Sequence, residues 1–233
     1  MTNKYIAVDL ETTGFSFRKN EILEYGASTI HTNEPLSLLV KTETPPSQRI
    51  LSFCHITGEM LHNRAFTPFS ALCKFLQWMR QHGAENAILV GHNIQQFDLP
   101  FIFETLRRYG ILEMFKFKGI VDTLQILKLD KKLKKRKLAV VYEKAHGHAF
   151  PDAHRAGADA KATLDLFLSP WFQSRYSGQI MPRDSCLQEY WQRTMRLNKW
   201  SEKLVDYGPG FKRCLICQAV VAPQFAHVHL DAS

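Results

Sequence analysis

Lys4-Tyr5-Ile6-Ala7-Val8-Asp9-Leu10-Glu11-Thr12-Thr13-Gly14-Phe15 is the stretch from which the fold is read. Its apolar run is rich in strand formers and closes at the turn signal Gly14, which predicts a short buried strand. Asp9 and Glu11 interrupt that apolar character. Side chains two apart on a strand share a face, so both carboxylates project together. Bare, they would repel and raise each other's pKa. A hard divalent cation between them makes the arrangement favourable, since Mg²⁺ takes oxygen ligands and few of them from protein. The alternative is an edge strand whose polar residues face water.

Outward from this strand, the chain alternates between turn signals and periodic runs. Glu21–His31 reads as a second strand and Leu36–Lys41 as a third, joined through the turn Thr32-Asn33-Glu34-Pro35. Thr67 then Pro68 gives an N-cap followed by a first-turn proline. Phe69, Leu72, Phe75, Leu76 and Met79 recur at helical spacing behind it. Ala87–Val90 reads as a buried strand, Asp98–Tyr109 as a helix, Phe115–Val121 as a strand and Ala156–Phe172 as a long helix. Three strands followed by alternating helices and strands predict an α/β fold with a sheet of mixed direction. Composition shifts after Pro170, so 1–172 is expected to form the main domain and 173–233 a small helical appendage.

Of 233 residues, 45% are hydrophobic and 22% charged, which suits a soluble globular protein. The strand at residue 4 leaves no room for a cleaved leader, so the expected place is intracellular, nucleus or cytoplasm, and not secreted. Five cysteines at irregular spacing do not outline a disulfide framework. The net charge of +8 is uneven: residues 1–127 balance at 12 Lys/Arg against 12 Asp/Glu, and residues 128–233 hold 18 against 10. A polyanionic partner met mainly by the second half fits that asymmetry, as does a plain basic surface.

Two further segments carry acids. Gly91-His92-Asn93-Ile94-Gln95-Gln96-Phe97-Asp98 ends a strand and opens a helix, where Asp98 could equally be a helix cap. His154-Arg155-Ala156-Gly157-Ala158-Asp159 places Asp159 on the last core helix with His154 just before it. Asp9-x-Glu11-Thr-Thr-Gly, then His92-Asn93 with Phe97-Asp98, then His154 five residues before Asp159, resembles the DEDDh (DnaQ-like) 3′→5′ exonucleases over about residues 4–168. Within that family, Val121-Asp122-Thr123-Leu124 and the His154–Asp159 spacing are most similar to the three-prime repair exonucleases and to the exonuclease-like domain of promyelocytic leukaemia proteins.

The resemblance implies a ribonuclease-H-like fold, a mixed five-stranded sheet flanked by helices. It implies that Asp9, Glu11, Asp98 and Asp159 hold two Mg²⁺ or Mn²⁺ ions about 4 Å apart, and that His154 takes the proton of the attacking water. Thr12 and Thr13 would meet the terminal 3′-hydroxyl through their amides, Phe15 would wedge against the last bases, and His92 and Asn93 would shape the floor or simply form a turn. The reaction expected is hydrolysis from DNA 3′ ends, single-stranded or frayed, releasing 5′-mononucleotides. An exoribonuclease with the same site and an inactive nucleic-acid-binding domain are the rivals. Some relatives dimerise through an edge strand, here Leu36–Lys41.

Two features lie outside that pattern. Lys131–Lys137 holds six cations in seven positions, read as an arm that gathers nucleic acid or as a nuclear-targeting signal. Cys214, Cys217, His227 and His229 offer four N/S donors that would suit a structural Zn²⁺, against ordinary thiols and surface histidines.

Overall fold

The computed structural model describes residues 4–176 and 180–197. Strands β1 (Lys4–Thr12), β2 (Ile22–Thr29) and β3 (Leu36–Leu39) form an antiparallel meander. Helices α1 (Gln48–Phe53), α2 (Gly58–Arg64) and α3 (Pro68–Gln81) then carry the chain to β4 (Ala87–Gly91), which lies parallel to β1. Helix α4 (Asp98–Arg108) leads to β5 (Gly119–Asp122), parallel to β4. Helices α5 (Thr123–Leu129), α6 (Leu138–His146), α7 (Ala156–Leu168) and α8 (Pro170–Gln173) follow, then β6 (Met181–Pro182) and α9 (Arg183–Leu197). The sheet order is β3-β2-β1-β4-β5-β6. No described helix is long and apolar enough to cross a membrane.

The expected mixed sheet is present, with one strand more than the five read from sequence. The addition, β6, is two residues pairing antiparallel with β5, too short and too close to Pro182 to show any periodicity. It belongs to the segment expected as an appendage. Residues 180–197 instead join the body: Cys186, Tyr190 and Trp191 of α9 are buried in the larger of the two main cores. Tyr190 donates its hydroxyl to Glu104 on α4 at 2.6 Å.

Period-2 alternation along β1 divides the molecule. Ile6, Val8 and Leu10 enter the core with α3, α4 and α9. Ala7 enters the opposite core, with Leu164, Leu166 and Phe167 of α7 and Val141 of α6. Asp9 and Glu11 continue the Ala7 side, so their carboxylates emerge towards α7 where the strand runs out of apolar cover. A small third cluster packs Cys54 and Ile56, from the α1–α2 connection, against Leu23 and Leu39. That connection is thereby held beside the end of β1.

Gly26 sets how near α7 comes. It is the register partner of Asp9 across the sheet, and a Cβ there would stand 2.1 Å from the carbonyl carbon of Ala156. Only glycine admits backbone this close. Gly26→Ala is expected to push the start of α7 outward and to destabilise the fold by about 1–3 kcal/mol, read as a lower urea midpoint at unchanged m-value.

Candidate active site

Three segments meet at the carboxyl end of β1. Glu11, His154 and Asp159 each present a ligand atom, and these atoms all lie within 4.8 Å of one another. Asp9 sits one pleat behind Glu11. Burial raises its pKa well above the usual carboxylate range, and the negative charges of Asp98, Asp159, Glu11 and Glu24 push the same way. Burial is also the main cause for the other three, placing Asp98 at about 8, Glu11 at about 7 and Asp159 at about 6. Neighbouring carboxylates add to each of these rises. The cluster therefore retains protons near neutral pH unless a cation compensates its charge.

Asp98 is the most telling member. It is buried, as the first residue of α4, and the cap position is Phe97, with no side-chain capping bond. The cap reading therefore has no geometric support. The backbone N–H groups of Leu10 and of Asp98 itself hold back part of the rise that burial causes. Its Oδ1 is buried without a hydrogen-bond partner among the described residues. A buried polar atom is normally satisfied, and an orphaned carboxylate oxygen beside three other acids is the donor a hard divalent cation takes. Asp122, by contrast, is fully engaged. It caps α5 through the Gln125 amide (3.1 Å) and accepts from the amides of Asn93 (3.0 Å) and Gln95 (3.1 Å). It thus holds the loop that delivers Asp98.

The last segment is positioned from β2. Glu24 is fully buried and lies opposite Glu11 in the register, a like-charge pairing that needs a counterion. Arg155 supplies it, with two nitrogens 3.1 and 2.7 Å from the Glu24 oxygens, while the Ala156 amide donates to the same carboxylate at 3.1 Å. Ser37 also donates to Glu24. Planar guanidinium against carboxylate fixes orientation as well as distance. It anchors the start of α7 between His154 and Asp159.

His154 has a positive φ of 69°, and its amide donates to Asp159 Oδ1 at 3.3 Å. In the structure the ring packs against Phe53 at a 38° tilt, centroids 4.1 Å apart, with His55 at 6.5 Å. Burial, then the charges of His55 and Lys137, lower its pKa. Glu11 has its own orienting contact, the Cys54 thiol donating to Oε2 at 2.9 Å.

The expected substrate residues divide. Phe15 is 93% exposed, its ring edge-on to Phe97 at 6.4 Å. The Thr13 amide donates to the Glu21 carbonyl at 2.9 Å and its hydroxyl accepts from the Glu21 amide. Thr13 thus closes the β1–β2 turn, and its amide is not available to a 3′-hydroxyl. Thr12 is a strand residue paired with Ile22 at a bulge, its hydroxyl donating to the Gly14 carbonyl at 2.7 Å. Both ring nitrogens of His92 are occupied, by the Thr123 hydroxyl (2.9 Å) and the Arg136 carbonyl (2.8 Å). Burial lowers its pKa to about 4. His92 ties the loop to α5 and to the basic run, and Asn93 makes a left-handed turn (φ 85°), so the turn role accounts for both.

The basic run is not a loose arm. Leu133 is buried and Arg136 donates to the carbonyls of Leu127 and Asp130. Lys131, Lys132, Lys134, Lys135 and Lys137 remain exposed on the ridge so formed. Cys214, Cys217, His227 and His229 lie outside the described residues.

Sequence reasoning missed Glu24, Arg155, Cys54 and Phe53. Glu24 was findable: a lone acid in the run Ile22-Leu23-Glu24-Tyr25 must find a cation if buried, and Arg155 adjoins the His154 motif. Cys54 and Phe53 left no such signal, because their roles depend on where a loop packs.

Comparison with known proteins places this geometry. The RNase_T family model, described as Exonuclease, matches residues 6–167. The chain is 32% identical over 168 residues to a PolC-type DNA polymerase III of Ureaplasma parvum serovar 3, covering 70% of this chain and 11% of that protein. The Staphylococcus aureus PolC-type polymerase is 30% identical over 180 residues, covering 76% and 12%. This chain therefore corresponds to a small part of those relatives. Among solved structures, E. coli exonuclease I in complex with a dT13 oligonucleotide matches at TM-score 0.57 and 16% identity, over 71% of this chain and 40% of that one. An exonuclease I from Methylocaldum szegediense matches at 0.56 and 18%, over the same shares. These two show the fold. The likeness to three-prime repair exonucleases stays a resemblance carried by residues 121–124 and the His154–Asp159 spacing. By the family model, the chain belongs to the RNase_T exonucleases, the DEDDh or DnaQ-like group.

Proposed function

We propose that this domain is a metal-dependent 3′→5′ exonuclease that hydrolyses DNA from single-stranded or frayed 3′ ends and releases 5′-mononucleotides. The observation that carries the reading is the buried, unpartnered Asp98 Oδ1 within a set of four acids whose pKa values all rise. Asp9, Glu11, Asp98 and Asp159 would hold two Mg²⁺ or Mn²⁺ ions. Bound there, such ions lower the pKa of a coordinated water and offset charge growing on the phosphate.

The chain's own residues supply the rest. His154 is kept largely neutral at pH 7 by its depressed pKa, so a ring nitrogen is free to accept the attacking water's proton. The water oxygen bonds to phosphorus and the bond to the 3′ oxygen of the preceding nucleotide breaks. Phe15 offers a stacking face that tolerates any base. The lysine ridge after Asp130 would draw the polyanionic strand towards the site. DNA is the preferred polymer because the exonuclease I neighbour is bound to a DNA oligonucleotide.

Matched 5′-labelled single-stranded DNA and RNA, incubated with Mg²⁺ or with EDTA, test the reading. A Mg²⁺-dependent ladder shortening from the 3′ end of DNA is expected. His154→Ala should slow it by about 10²–10⁴-fold, and Asp9→Ala should abolish it. A ladder on RNA alone would move the substrate to RNA. No cleavage of either polymer by folded protein, across metals, would leave a binding module.

A further inference from the structure

We infer that α9 clamps the substrate end of the site, with Arg193 as a positioning residue that sets the spacing of Phe15 and Phe97 for the last base of a 3′ end. The effect on substrate rests on the nuclease reading given above; the clamp itself rests on contacts. Glu189, Tyr190, Arg193 and Thr194 share one face of α9, at the i, i+4 spacing that makes helix neighbours. They lie beyond residue 167, where the match to the family model stops.

That face holds two separate segments. On one side is the loop that delivers Asp98. Gln95 donates to Glu189 at 2.7 Å, and Arg193 donates to the Gln96 carbonyl at 3.1 Å. On the other is the turn after β1. Arg18 donates to the Thr194 carbonyl, the Arg193 guanidinium lies 5.5 Å from the centre of the Phe17 ring, and Phe17 packs on Tyr190 at 5.9 Å. Arg193 touches both segments. Its guanidinium combines a planar donor edge with a face that sits on an aromatic ring, which no ammonium reproduces. Glu189 and Arg193 are four apart and of opposite charge, the usual makings of a surface pair. Their hydrogen bonds go instead to consecutive residues of the loop.

The two gripped segments carry rings that meet. Phe15 lies two residues before Phe17 and Phe97 directly follows Gln96, and their centroids are 6.4 Å apart, edge-on. The spacing of those rings is therefore set through α9. Asp98 is held independently, by Asp122 through the amides of Asn93 and Gln95 and by the Leu99 amide on the Ile94 carbonyl at 3.0 Å. Loosening α9 thus frees the aromatic pair and leaves the acid in place. A weaker hold on the 3′ end with the chemistry intact has a kinetic signature: KM rises and kcat stays.

Full-length Arg193→Ala is compared with the parent on 5′-labelled single-stranded DNA with Mg²⁺. KM is expected to rise about fivefold or more, the worth of stacking one base, at unchanged kcat. Partial unfolding alone would lower kcat in proportion and leave KM as it was, and circular dichroism gives the folded fraction. Phe15→Ala should raise KM as well, and adding Arg193→Ala to it should cost little more, because both act on the same contact. Hydrogen exchange at the amides of residues 16–18 and 96–97 should quicken in Arg193→Ala, with β2 unchanged. An unchanged KM overturns the proposal, as does a rise that multiplies in full with that of Phe15→Ala. In a parent without nuclease activity, binding of the same oligonucleotide, followed by fluorescence anisotropy, takes the place of KM, and no binding at all overturns both readings. An active nuclease indifferent to Arg193→Ala sinks the clamp alone.

Discussion

Freed of metal at pH 7, Asp98→Asn melts at a higher temperature than the parent protein, gains less from added Mg²⁺, and has lost nuclease activity. The reason lies in the Asp98 carboxyl, which burial raises from 3.8 to about 8. Between those values the folded state binds more protons than the unfolded one, so stability falls as pH rises from about 4 to about 8. The contribution is complete below pH 3.8 and is lost as pH passes through about 8. Asn keeps the shape without the charge, so the pH-dependent loss at this position disappears. In a chain of this size each kcal/mol regained is worth about 2–4 °C in Tm. In the parent, Mg²⁺ compensates the same charge and should raise Tm by mass action. Differential scanning fluorimetry from pH 5 to 8, with EDTA and with Mg²⁺, reads both effects. A variant that melts below the parent in EDTA, or that keeps the full Mg²⁺ shift, contradicts the account.

Arg155→Ala is expected to be the most damaging single change outside the acid cluster. It leaves Glu24 fully buried with its charge uncompensated, facing Glu11 across the sheet. Breaking such a pair from one side costs about 3–5 kcal/mol, seen as a lower urea midpoint. Activity in the folded fraction should fall too, because the start of α7 loses the contact that sets Asp159 against Glu11. Replacing both partners, Glu24→Leu with Arg155→Met, removes the stranded charge and should recover much of the stability but little activity. A double variant no more stable than Arg155→Ala would mean that Glu24 is satisfied by Ser37 and the Ala156 amide alone.

How far the sequence reached depended on whether a feature was local. The alternation Ile6-Ala7-Val8-Asp9-Leu10-Glu11 is a property of one strand, so it predicts the face the carboxylates take, and β1 has it. Thr67-Pro68 opens α3 with its hydroxyl accepting from the Ser70 amide. Asp122 caps α5. Each needs no knowledge of the rest of the fold.

The misreadings share a different cause. The Thr13 amide is used by Glu21, eight residues on, and α9 is buried against α4. Both depend on partners that sequence spacing does not identify, as do the Thr123 and Arg136 contacts that fix His92 in the turn role, one of its two readings. The Glu24–Arg155 pair spans 131 positions. That acids from three segments should act together came from their likeness to a family pattern. Repulsion alone would have argued against gathering them.

The most direct measurement is anomalous scattering from crystals of the protein grown with Mn²⁺ and a nucleoside 5′-monophosphate. The account predicts manganese peaks among the carboxylates of Asp9, Glu11, Asp98 and Asp159, one of them against Asp98 Oδ1, with the phosphate beside them and the base against Phe15. Crystals at saturating Mn²⁺ that show these four carboxylates free of metal, with the nucleotide bound elsewhere or not at all, would contradict it.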